Sequence, residues 1–162
     1  MRLIKSIIAL SFILSLTQAK ADQLDDMIGQ MVLIGFHGKN TQSPSVKAAV
    51  KDIKAGKVGG LLFLGGNIGS KKDVLALTSK FQNASADKVL ITINQEGGRV
   101  RRLREKMGAP SLRSAKKMVA KGTDYAHQAY FDTALYIKSL GFNVNFGPVL
   151  DLAINPTNPV IA

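Results

Sequence analysis

The chain has 162 residues, a formal net charge of +11, 46% hydrophobic residues and no cysteine. The length allows one domain with a core of its own, and the absence of cysteine excludes disulfides and thiolate metal sites. Aromatic residues are few and Trp is absent, so stacking surfaces for single-stranded nucleic acid are scarce. We predict no nucleic-acid partner and a mostly solvated basic surface.

Residues Met1–Ala21 have the pattern of a secretory signal peptide. Arg2 and Lys5 give a positive start, residues 6–17 form an apolar centre too short for a membrane span, and Ala19-Lys20-Ala21 supplies a small-x-small cleavage site. A first core helix is the alternative, but the apolar centre has no amphipathic pattern. The prediction is an exported protein, periplasmic or secreted, without a stable membrane anchor.

The remaining residues, 22–162, alternate between strand and helix patterns. Apolar runs predict strands, and apolar residues at helical spacing predict helices between them. The predicted strands cover residues 30–36, 58–64, 88–93 and 142–150. This alternation, with short connections, predicts a parallel sheet. Four strands with about three crossover helices are half of a (β/α)8 barrel, and composition alone leaves a small doubly wound sheet open.

The chemically most informative stretch is KVLITINQEGGRVRRL, residues 88–103. Its apolar start fits a strand buried on both faces, and it ends abruptly in polar residues, two glycines and three arginines. Because chemistry lies at the carboxyl ends of parallel strands, the stretch predicts a polar and cationic pocket rim. An ordinary connection between a strand and a helix is the alternative, and neither common phosphate-loop motif is present.

The segment QEGGRVRRL resembles a signature of glycoside hydrolase family 3, in its β-N-acetylhexosaminidase branch. VGGLLFLGGNI, residues 58–68, resembles the strand before this signature, and GFNVNFGPVLDLAINPTNPVIA, residues 141–162, resembles the strand after it. The resemblance runs from Leu24 to Ala162. It implies an α/β fold, namely the first half of a TIM barrel in which residues 22–162 are part of the family's N-terminal domain.

The resemblance also implies an activity: retaining hydrolysis of terminal N-acetylglucosamine in peptidoglycan fragments or related glycans, without metal or organic cofactor. Arg102 matches the sugar-binding arginine of the signature. Asn94 stands where the family has a sugar-binding aspartate, so it keeps an acceptor oxygen but lacks the charge. Glu96 and Arg99 are interpreted as supporting residues paired with each other, and Asp151 as a residue at the end of the fourth strand.

The family's acid/base loop and nucleophile follow motifs that lie beyond residue 162 in its members. We therefore expect no catalytic residue among these 162 residues and no activity of this chain alone. Two other functions stay open: a non-catalytic carbohydrate-binding remnant, and a basic secreted module that binds polyanions through residues 99–106. The unpaired edges of a half-barrel also predict self-association.

Overall fold

The structure, a computed structural model, describes residues 23–152 and 154–158. Its main feature is a parallel sheet of four strands in the order β1-β2-β3-β6, beside a small antiparallel hairpin of β4 and β5. The strands are β1 (Leu33–Gly35), β2 (Gly60–Phe63), β3 (Leu90–Ile93), β4 (Gln95–Gly97), β5 (Val100–Arg101) and β6 (Val144–Asn145). The predicted signal peptide, Met1–Ala21, lies outside the described residues.

Helices alternate with the strands of the parallel sheet. A helix that we label α1 covers residues 23–30. It is followed by α2 (Pro44–Lys54), α3 (Lys71–Gln82), α4 (Ala115–Val119) and α5 (Thr123–Ser139), with short 3-10 helices at Gly65–Asn67 and Glu105–Met107. This arrangement confirms the predicted α/β class, and four parallel strands are half the number in a (β/α)8 barrel.

The local sequence explains where α3 begins. Ser70 caps α3, because its hydroxyl accepts from the backbone N–H of Asp73 at 3.2 Å and the Asp73 carboxylate accepts from the Ser70 N–H at 2.9 Å. The pKa of Asp73 is lowered mainly because its carboxylate accepts from the Ser70 hydroxyl at 2.6 Å, and further because it accepts from the Ser70 N–H. The helix then buries Val74, Leu77, Thr78 and Phe81, which is the stripe that the helical spacing predicts.

Four phenylalanine rings join the sheet to the helices. The Phe63 ring on β2 makes edge-to-face contacts with Phe36 and Phe142, each at 4.9 Å between centroids. Phe36 contacts Phe81 of α3 at 5.0 Å in the same geometry. Such pairs contribute roughly 0.5–1.5 kcal/mol each beyond the area they bury, so this cluster fixes α3 against the helix-covered face of the sheet.

The two faces of the sheet differ in burial. On the helix-covered face, Leu61 and Ile91 have no exposed surface. On the other face, the aligned residues Leu33 and Leu90 are 37% and 44% exposed. The prediction of a third strand buried on both faces therefore holds at Thr92, which is 1% exposed, and is wrong at Leu90, which lines an open cleft at the amino ends of the strands.

Strand β6 is shorter than predicted, because side-chain amides replace part of its backbone pairing. Asn143 accepts from the Ile91 N–H at 2.8 Å and donates to the Val89 carbonyl at 2.7 Å. Asn145 accepts from the Gln95 N–H at 2.9 Å and donates to the Gln95 carbonyl at 3.1 Å. These four bonds, here called the amide latch, extend the contact of β3 with its neighbour past both ends of a two-residue strand.

The sheet has open edges at β1 and β6, and we expect the polypeptide of residues 22–162 to self-associate through them. Size-exclusion chromatography with light scattering should find dimers or larger species at micromolar concentration. Leu33→Lys places a charge on the β1 edge and should reduce association, whereas Leu75→Lys, at an equally exposed leucine of α3, should not. A clean wild-type monomer that melts cooperatively would contradict this expectation.

Removing the two Asn145 bonds of the amide latch should make the β3–β6 pair open more often. In Asn145→Ala the Gln95 N–H and carbonyl lose their partners, which costs about 1–3 kcal/mol. Hydrogen–deuterium exchange of peptides from residues 89–95 should therefore be about tenfold faster or more. Asn83→Ala, at an exposed position after α3, is the matched control. Equal protection in both variants would show that the two bonds of Asn145 contribute nothing.

Candidate functional site

The candidate site lies where β3 ends and the chain reverses into the β4–β5 hairpin. Gly97 and Gly98 form the reversal, with φ angles of 111° and 57°, which L side chains rarely adopt. Gly97 also approaches the next segment closely, because a Cβ at this position would lie 2.2 Å from the Arg113 carbonyl oxygen. The predicted Gly-Gly turn is confirmed, while the pairing of β4 with β5 that it serves was not predicted.

Gln95 holds the hairpin in place from inside. Its side chain is 1% exposed, and its amide oxygen accepts from the N–H groups of Arg102 at 2.8 Å and Leu103 at 3.0 Å. Its amide nitrogen donates to the Leu103 carbonyl at 2.8 Å. Because Asn145 binds the backbone of the same residue, Gln95 connects the sheet to the returning strand and fixes the backbone of Arg102.

Asn94 and Arg102, the two predicted sugar-binding residues, flank these Gln95 contacts. Both are partly buried. In the described part of the chain, Asn94 Oδ1 and Arg102 Nε are buried without a hydrogen-bond partner, as is Nε of the adjacent Arg101, whose guanidinium pairs with Glu105. The Asn94 amide nitrogen makes a long contact of 3.5 Å with Glu96 Oε1. The site thus holds one free acceptor and one free donor, a combination that suits hydroxyl groups, which both donate and accept.

Tyr130 of α5 closes one side of the site. Its hydroxyl donates to the Glu96 carbonyl oxygen at 3.0 Å. Burial raises the pKa of Tyr130, and the negative charge of Glu96 raises it further. The phenol therefore stays protonated at neutral pH and keeps its donor role, and it links α5 to the hairpin.

Two supporting residues lie elsewhere than predicted. Arg99 is exposed in the turn of the hairpin and does not pair with Glu96; in the described residues the ion pair of this region joins Arg101 to Glu105. Asp151 does not end a strand, because β6 stops at Asn145, and Asp151 is exposed in the segment that follows. Glu96 stays at the site as the neighbour of Asn94.

Sequence reasoning missed the structural roles of Gln95, Asn145 and Tyr130. Gln95 lies between two residues chosen for chemistry, and Tyr130 lies more than 30 residues away from it in the sequence. The signal for Asn145 was present, because Asn143 and Asn145 alternate within an otherwise apolar stretch. Polar residues in a predicted apolar strand need partners wherever that strand packs, and these two find them in the neighbouring backbone.

A cleft in the described residues lies at the opposite end of the strands. It has a volume of about 620 Å³ and is lined by residues of α1 and by the amino ends of β2 and β3, with Asp26, Gln30, Lys54 and Asp87 among its polar groups. Parallel α/β folds place ligand chemistry at the carboxyl ends. We therefore assign the site to the Asn94–Arg102 end.

The described residues, 23–152 and 154–158, hold neither a group of metal-ligating side chains nor a membrane-spanning helix. In this part of the chain, no three His, Asp or Glu side chains come close enough together to hold a metal ion. Over the same residues, no helix combines the length and the apolar character that a membrane crossing requires.

Comparison with known proteins places this arrangement in context. Residues 23–162 match the family profile described as "Glycosyl hydrolase family 3 N terminal domain". The curated relatives include Beta-hexosaminidase A of Pseudoalteromonas piscicida, 30% identical over 112 residues, and a Beta-hexosaminidase of Xylella fastidiosa, 28% identical over 127 residues. These alignments cover 64% and 75% of this chain but only 19% and 37% of the relatives.

Solved structures agree in fold. A glycoside hydrolase family 3 beta-N-acetylglucosaminidase from Paenibacillus superposes with a TM-score of 0.73 at 33% identity, over 85% of this chain and 26% of that one. NagZ from Neisseria gonorrhoeae, at 22% identity and a TM-score of 0.61, covers 75% of this chain and 36% of its own; it supports the fold alone. The chain belongs to glycosyl hydrolase family 3, and its residues 23–162 form part of that family's N-terminal domain.

Proposed function

We propose that this chain is part of a β-N-acetylglucosaminidase and holds the terminal N-acetylglucosamine of a glycan substrate, such as a peptidoglycan fragment. In this proposal Asn94 Oδ1 accepts from a sugar hydroxyl and Arg102 donates to one. The observation that carries the proposal is the buried, unpartnered state of Asn94 Oδ1 and Arg102 Nε at the carboxyl end of β3. Buried polar atoms without partners are rare, and a ligand hydroxyl would satisfy both kinds.

The remaining contacts of the site orient these two residues. Gln95 binds the backbone N–H of Arg102, so the arginine is attached to a rigid strand end. Glu96 contacts the Asn94 amide nitrogen, which leaves the amide oxygen for the substrate. Preorganised groups of this kind gain affinity because less freedom is lost on binding.

The chain alone is proposed to lack the catalytic pair. Retaining hydrolysis requires two groups that flank the glycosidic bond, about 5–5.5 Å apart when both are carboxylates. Glu96 is partly buried beside Asn94, and Asp151 is exposed beyond β6, and we assign neither as nucleophile. The relatives are longer than the matched region, and we place the nucleophile and the acid/base in their additional sequence.

A fusion tests this division. The 162-residue chain should not measurably hydrolyse an aryl N-acetylglucosaminide, because loss of the reacting groups removes many powers of ten in rate. Joining it to the part of the Xylella fastidiosa relative that follows the matched region should restore turnover. Robust hydrolysis by the chain alone would show that its catalytic groups have been misplaced.

The same fusion tests the sugar-binding residues. Asn94→Asp should raise kcat/KM about fivefold, since a charged acceptor makes a stronger hydrogen bond. Arg102→Ala should lower it roughly 10- to 100-fold. Asn83→Asp and Lys138→Ala, both exposed and distant from the site, are the matched controls. If neither site substitution changes kcat/KM of the fusion, the sugar-binding assignment fails. If the chain binds N-acetylglucosamine but the fusion is inactive, a non-catalytic carbohydrate-binding role is favoured.

Export is a separate part of the proposal. The pattern of Met1–Ala21 predicts cleavage after Ala21, so protein expressed in a Gram-negative host should begin at Asp22 by mass spectrometry of the periplasmic fraction. Ala21→Leu removes the small residue at the cleavage site, and the precursor should accumulate. Recovery of intact wild-type chain from the cytoplasm alone would overturn the assignment.

A further inference from the structure

The positive charge of this protein is concentrated in one segment, residues 99–121, here called the basic segment. It contains nine Lys and Arg residues and one acidic residue, Glu105, for a net charge of +8. The rest of residues 22–162 has ten cationic and ten acidic residues and is neutral. A solvated surface mixes both signs, whereas a block of one sign repels itself and is typical of an interaction surface.

The fold holds the basic segment together as one surface. The Gly98 N–H donates to the Leu112 carbonyl at 3.0 Å, which holds the second half of the segment against the residue directly before its start. Its apolar residues anchor it, since Leu103, Leu112 and Met118 are at most 1% exposed. The Tyr136 hydroxyl donates to the Met107 carbonyl and fixes the 3-10 helix to α5.

The cations of the segment remain available. Arg99, Arg104, Arg113 and Lys117 are exposed, and among the described residues none of these four forms an ion pair. Arg101 is the exception, because it pairs with Glu105. The pKa of Glu105 is lowered first by a hydrogen bond from its own backbone and then by the hydrogen bond from Arg101. The segment thus presents guanidinium forks, which suit carboxylates.

We propose that the basic segment binds an anionic polysaccharide that carries carboxylates along its chain. Two observations favour a polysaccharide over nucleic acid. Residues 99–121 contain no Phe, Tyr or Trp, so the segment has no ring of its own on which bases would stack. Arg102, at the candidate sugar site, belongs to the same segment, so the surface proposed to bind a sugar and the basic segment adjoin in the chain; this second link rests on the proposed function.

Binding to polygalacturonate tests the proposal separately from hydrolysis, because this polymer has carboxylates and no N-acetylglucosamine. The 162-residue chain should bind it in titration calorimetry and not bind dextran, a neutral polymer. Affinity should fall steeply between 50 and 200 mM salt, as counterion release requires.

The matched variants each remove three exposed positive charges. Arg104→Gln, Arg113→Gln and Lys117→Gln together should weaken polygalacturonate binding about tenfold or more and reduce its salt dependence. Lys47→Gln, Lys51→Gln and Lys57→Gln together, on or just after α2, should change it less than threefold. Equal losses in both variants would mean that net charge alone drives binding, and the proposal would fail.

Two further probes check the class of polymer. An oligothymidine and a phosphatidylglycerol vesicle should each bind more weakly than polygalacturonate at the same salt concentration. Tighter binding of the oligonucleotide or the vesicle would overturn the polysaccharide assignment. Failure of the hydrolase fusion, with polygalacturonate binding intact, would remove the link to the sugar site and leave the basic segment as a binding surface.

Discussion

The hydrogen bonds of Gln95 are the interaction on which the site depends. Its backbone N–H and carbonyl bind the Asn145 side chain, and its own amide binds the backbone of Arg102 and Leu103. The residue is 1% exposed, where an unpaired amide would cost about 1–3 kcal/mol per group. Burial of Gln95 is therefore tolerable only in this arrangement, which fixes β6, β3 and the hairpin relative to one another.

This arrangement explains why chemistry collects at one end of the sheet. Gln95 directs its side chain inward, so its neighbours Asn94 and Glu96 fall on the opposite side of the extended chain. The hairpin then returns Arg102 to the same region, because its N–H is bound to the Gln95 amide. Asn94, Glu96 and Arg102, which are up to eight positions apart in the sequence, thus lie at the carboxyl end of β3. None of them lines the cleft at the amino ends of the strands.

The sequence predicted the helices well and the site only in outline. The buried residues Val46, Ala49 and Ile53 of α2 follow a local spacing, and local spacing is what periodicity detects. The short β6 depends on amides that bind a backbone about 50 residues away, and the hairpin depends on the Gln95 side chain, which binds backbone seven and eight residues further on. No local pattern encodes such contacts, so the predicted strand 142–150 was too long, and Asp151 was placed at its end.

A neutral residue at position 94 changes the charge of the site and its contact with Glu96. An aspartate here would lie next to Glu96, and two carboxylates in contact repel each other. The amide avoids this repulsion, since its nitrogen contacts Glu96 Oε1 at 3.5 Å. This contact also sets which end of the amide faces away, so that Oδ1 remains as the acceptor. The chain thus exchanges a strong, charged acceptor for a weaker one whose orientation is defined by its neighbour Glu96.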